Sequence, residues 1–180
     1  MNIITARIPP RSIQNSLTFL QKISAYALGL STEKDLPGLA ITGLEEGYDS
    51  VSLRILAGLN PTDSPFNLND YFTSSLNELQ IIMPEGKEAL IEVVAFYARA
   101  IVEKTTDTYT AFGKLIDIIN KTPYHCADIG LLHCYADYIS IWEEKMGGLD
   151  FHTKEGITSE KYIEKTEESI RQQLIKWLAA

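Results

Sequence analysis

From residue 11 to residue 178 the sequence keeps returning to one pattern. A small or polar capping residue is followed by apolar residues three and four apart, and then by a glycine or proline stop. Spacings of three and four gather apolar side chains on one face of a helix, whereas a half-buried strand requires alternation. No stretch alternates strongly enough to demand a sheet. The chain is therefore expected to be all-α: a single domain over residues 1–180, built as a compact irregular bundle of seven or eight antiparallel-type helices. Its helix–turn–helix pairs leave a short HEAT-like array as the alternative, although no self-similarity at a period of roughly 30–45 residues is visible.

The punctuation places the elements. The first helix is expected from Ser12, after Pro9-Pro10, with Leu17, Leu20, Ala27 and Leu28 as its stripe and Gly29 as its stop. The second is expected over residues 32–46, capped by Ser31 or Asp35 and closed by Gly47, with its continuous part beginning at Leu36 if Pro37 is to fall in a first turn, where its missing N–H costs nothing. The third follows Asp49-Ser50 and ends at Gly58. A fourth is capped by Asn67 or Asn69, and Pro84 opens the longest helix. The sixth carries Tyr109, Phe112, Ile116 and Ile119 and is ended by Pro123. The seventh runs from Asp128 or Leu131 to Met146, with Leu132, Tyr135, Ile139, Trp142 and Met146 read as its core face. A loop over residues 149–157 precedes a last helix that starts at Thr158 and buries Ile170, Leu174 and Trp177.

Charge narrows the function classes. The net charge is −8, unevenly distributed. Residues 1–30 carry three bases and no acid, whereas residues 31–84 carry two bases and eight acids. Phosphate backbones repel such a chain, so nucleic acid is not an expected partner. Acidity keeps a small protein soluble, and it can also steer a basic protein partner. The longest apolar region, residues 89–102, contains Glu92 and Arg99 and is too short to span a bilayer, so no membrane association is expected. The two cysteines do not resemble a disulfide framework, and residues 1–10 lack the basic start and apolar core of a signal peptide. A cytoplasmic location is the corresponding expectation.

Chemically versatile residues concentrate at residues 124–137, YHCADIGLLHCYAD. His and Cys are good zinc ligands. His133 and Asp137 sit one turn apart on a helix and can share one ion, with His125 as a third candidate and His152 or Asp150 in the following loop as further donors. The spacing departs from structural zinc sites, which favour cysteine pairs two to four residues apart. His125-Cys126 and His133-Cys134 suggest thiolate catalysis, but neighbouring helical residues diverge and no oxyanion nest accompanies either cysteine. The paired carboxylates Glu45-Glu46 and Glu143-Glu144 diverge by about 100° and make poor acid/base dyads. No HExxH, Walker A, GxGxxG or GxSxG motif is present.

The most distinctive local pattern is Glu46-Gly47-Tyr48-Asp49-Ser50 followed by Leu53-Arg54-Ile55-Leu56-Ala57-Gly58-Leu59. Asp70-Tyr71-Phe72, Leu76-Asn77-Glu78-Leu79 and Pro84 come next, and Lys176-Trp177-Leu178 lies at the end of the last helix. This order resembles a group of short, uncharacterised bacterial all-helical proteins. The resemblance covers residues 31–104 and the last helix, and it implies an all-α fold and a bacterial origin. No active site comes with it.

The expected function is therefore non-enzymatic: a module that binds another protein through an acidic helical surface, which a basic partner would complement. An immunity- or antitoxin-like role is one concrete form. Glu45, Glu46 and Asp49 are the expected contact acids, and Phe66, if exposed, an apolar anchor. The competing expectation is a metal-binding protein or enzyme centred on His125, His133 and His152, with zinc or another transition metal as its cofactor. A third is a structural subunit or homo-oligomer.

Overall fold

Side chains already visible in the sequence set most helix starts. In the computed structural model, which describes residues 17–180, Thr18 accepts a hydrogen bond from the Gln21 amide at 3.4 Å while the Gln21 side chain accepts from the Thr18 amide at 3.0 Å. This reciprocal box starts α1 (Phe19–Ala27). Ser50, Asp107 and Thr158 side chains cap the starts of α3 (Val51–Gly58), α6 (Thr108–Ile119) and α9 (Ser159–Leu178). Each such cap stabilises its helix by about 1 kcal/mol. Pro37 lies in the first turn of α2 (Leu36–Glu45), as expected. Between these elements run α4 (Pro65–Leu79), α5 (Gly86–Val102), α7 (Leu132–Met146) and the short α8 (Phe151–Glu155). Among the described residues these nine helices, with 3₁₀ turns at Glu33–Asp35 and Cys126–Ile129, account for all regular structure, and no strand occurs.

Several boundaries differ from expectation. The box at Thr18 begins α1 at Phe19, while the expected start at Ser12 lies outside the described residues. Helix α4 starts at Pro65, upstream of Asn67, because proline itself serves as its first residue. Helix α5 starts at Gly86 rather than Pro84, since Glu85 remains extended at φ −124°, ψ 156°. The loop over residues 149–157 contains α8, whose Phe151 ring stacks on Tyr162 with centroids 5.6 Å apart.

Buried side chains form two clusters. One joins α1 to α4 through Phe19, Ile23, Leu36, Leu53, Leu68 and Phe72. The other joins α5, α6, α7 and α9 through Leu90, Val94, Phe112, Leu115, Ile141, Ile170 and Leu174. Helix α1 packs on α5, and α5 packs on both α6 and α9. A HEAT-like array would confine contacts to successive units, so these pairings between distant helices make the fold a bundle. Gly43 in α2 shows how close the packing is: a Cβ there would lie 2.8 Å from the Phe19 ring. No helix among the described residues is long and apolar enough to cross a membrane.

Candidate functional site

Helix α7 is rotated relative to its expected phase. Leu132, Tyr135, Trp142 and Met146, read from the sequence as core, face outward; Leu132 is 53%, Trp142 45% and Met146 66% exposed. Ile139 is half-buried, and exposed Leu149 extends the row past the helix end. The inner face carries Cys134, Ile141 and Glu144 instead. Hydrogen bonding explains the rotation. Asp137 Oδ2 accepts from Ser169 Oγ and from Gln173 Nε2, both at 2.7 Å, and Cys134 Sγ donates to Gln173 Oε1 at 3.7 Å. Polar groups on α7 thus meet polar groups on α9 along a partly buried seam, and each satisfies the other.

Glu144 anchors the far end of this seam. Its Oε1 lies 2.6 Å from His152 Nδ1, and its Oε2 accepts from the His152 amide at 3.3 Å. Burial opposes ionisation of Glu144, but hydrogen bonds from Ser159 and from the backbone and ring of His152 outweigh it and hold the carboxyl below its usual range. Nearer α6, Tyr138 stacks on Tyr109 with centroids 4.8 Å apart, and Lys145 Nζ lies 4.2 Å over the Tyr109 ring. Burial, reinforced by the neighbouring Tyr109 hydroxyl, pushes Tyr138 up to about 12.

The outward row has a distinct geometry. Residues 132, 135, 139, 142, 146 and 149 step by three and four in strict alternation, the spacing that lines up one seam of a helix pair. Exposed apolar side chains scattered singly are ordinary, whereas these lie together along one helix face.

The expected metal ligands have separate engagements. Asp137 bonds to α9, His133 is exposed, and the His125 amide donates to Asp128 Oδ2 at 2.7 Å at the start of the 126–129 turn. Among the described residues no group of three His, Cys, Asp or Glu side chains is placed to hold an ion. Both cysteines are buried and free. Burial raises both thiols, Cys134 to about 12 with nearby Asp137 contributing, so neither is held as a nucleophilic thiolate at neutral pH.

Acids from residues 31–84 are largely committed to helix starts and turns. Both oxygens of Glu46 accept from the Phe19 amide at 3.2 Å, placing a negative charge at the positive end of α1. Glu78 does the same for α3, accepting from the Ser52 amide at 3.0 Å and hydroxyl at 2.6 Å. Asp49 forms a two-pronged pair with Arg54 at 2.6 and 2.9 Å. Asp35 accepts from the Thr32 amide, and Asp63 from the Asn60 amide. Glu45 is exposed and makes no hydrogen bond or ion pair among the described residues. Phe66, in the first turn of α4, is 82% exposed.

Sequence reasoning missed the outward row and the Glu144–His152 bond. A signal for the first existed: Asp137 and Glu144 are seven apart on one helix, and Ser169 and Gln173 are four apart on another, so two polar rows of matching helical pitch were available to pair. No protein-family model matches the chain, and no curated protein or solved structure matches it.

Proposed function

We propose that this protein works by binding another protein, which lays an amphipathic helix along α7. The exposed row Leu132–Tyr135–Trp142–Met146 is the observation that carries this reading. Aromatic residues supply much of the binding energy where a partner's side chains bury them. The seam spacing suits a helical partner rather than a strand or a small molecule. The net charge of −8 favours a partner with a basic rim around its apolar face, because long-range attraction raises the rate of encounter. The exposed Glu45 and Phe66 are secondary contacts, and an immunity- or antitoxin-like protein in the cytoplasm is a concrete form of the proposal.

The test compares the native chain with a Leu132→Asp/Met146→Asp variant. Both positions are exposed, so the variant should fold and melt as the native chain does. A protein captured from source extract by the native chain, and lost at least tenfold by the variant, supports the reading. Equal capture by both overturns it. So does a native homodimer that the variant abolishes, since the row would then be occupied by a second copy.

A further inference from the structure

A cavity of about 580 Å³ opens between α1, α2 and α5 beside the end of α6. That volume lies within the range typical of small-molecule sites. Its accessible aliphatic lining comes from half-buried Leu17, Leu30 and Ile118, with the buried Leu39 and Val93 behind them. Three lysines line it: Lys22 from α1, Lys34 from the 33–35 turn and Lys121 after α6. The lining thus carries three cations and one acid in a chain whose net charge is −8. Among the described residues none of the three is in an ion pair, although Arg54, Lys104, Lys165 and Arg171 are. Lys22 Nζ donates to Thr42 Oγ1 at 2.6 Å, which fixes its position and leaves it further N–H donors. The one acid on the lining, Asp35, is turned to the Thr32 amide and hydroxyl at 2.8 and 3.2 Å.

Two more residues favour an occupant. The half-buried Tyr97 lines the cavity, and its hydroxyl makes no hydrogen bond to protein among the described residues. Burial pushes its pKa up, so it remains a neutral donor near pH 7. Gly38 also lines the cavity, within α2, where glycine costs roughly 1 kcal/mol relative to alanine. Unlike Gly43, it is not required by packing, because a Cβ at Gly38 would meet nothing within 4 Å.

We propose that this cavity binds a single-chain amphipathic anion, with its apolar tail along Leu17, Leu30 and Ile118 and its anionic head at Lys22, Lys34 and Lys121. Lysines act as point charges and accept carboxylate or phosphate alike, so the class is defined by one negative head on one aliphatic tail. The cavity is separate from the α7 row, and the two proposals stand or fall independently.

Calorimetric titration of the full chain tests it, using decanoate, decyl phosphate, decanol and inorganic phosphate, each below its aggregation concentration. Decanoate or decyl phosphate should bind, the tighter of the two assigning the head group. Decanol and inorganic phosphate should bind at least tenfold more weakly, since each lacks half of the recognition. Lys34→Gln/Lys121→Gln, at two exposed positions, should weaken binding of the anion about tenfold with an unchanged melting temperature. Gly38→Leu, which adds bulk at a lining position without a Cβ clash, should reduce it comparably. Absence of binding by the native chain, equal affinity for decanol and decanoate, or insensitivity to the lysine pair overturns the proposal.

Discussion

At the scale of single residues, carboxylates have the largest part in joining elements. Glu46 and Glu78 reach from one helix to the amides that start another, Asp137 joins α7 to α9, and Glu144 joins α7 to α8. Composition shows how many acids there are, but not which are engaged, because the partner groups lie 26 to 32 residues away for three of these four bonds. That separation explains why Glu46 reads as a surface charge in the sequence and as a helix cap in the fold. Glu144 yields a test. Its folded carboxyl titrates below the usual range, so its contribution is fully present above the unfolded value of roughly pH 4.3 and is lost as pH falls through the lower folded value. Glu78, Asp107 and Glu168 are depressed as well, chiefly by hydrogen bonds, whereas burial raises Glu167 and reverses its sign. Thermal melts from pH 7 to pH 3 should therefore show a falling acid limb. Glu144→Gln should melt lower at pH 7 and flatten that limb, leaving the part due to the other three. An acid limb identical to the native one would exclude a role for this carboxylate.

At the scale of elements, local signals sufficed where they concerned backbone chemistry. Gly29, Gly47 and Gly147 adopt positive φ just beyond α1, α2 and α7, where stops were expected, and Thr158 caps α9. The all-α class followed from the same periodicity. Helix phase was less legible, because apolar spacing shows that a face exists without showing whether it turns toward the core or toward a partner. On α7 the bonds to Ser169, Gln173 and His152 settled that choice. Alanine or serine substitution can read the phase directly. Ile141→Ala, at a fully buried position, should cost about 2–5 kcal/mol through lost transfer energy and the cavity left behind. Met146→Ser, on the outward face and mostly exposed, should change stability by no more than about 0.5 kcal/mol. Chemical denaturation measures both, and comparable losses would place Met146 in the core and reverse the assigned phase.

For the whole molecule, two buried clusters joined by α1 and α5 explain how a single bundle leaves one apolar row unmatched. Helices α5, α6 and α9 supply most of the second cluster, and α7 joins it along a face that is partly polar, so its other face finds no partner among the described residues. Protein binding as proposed depends on that outward face. The chain has two tryptophans, Trp142 in the row and Trp177, whose indole N–H donates to the Ile129 carbonyl at 2.6 Å. Replacing Trp177 with phenylalanine leaves Trp142 as the only indole. Fluorescence of that variant at sub-micromolar concentration should show a red-shifted, water-like emission that acrylamide quenches readily. A blue-shifted emission resistant to quenching would show that Trp142 is buried within the monomer, and would contradict the account of α7 as an open binding surface.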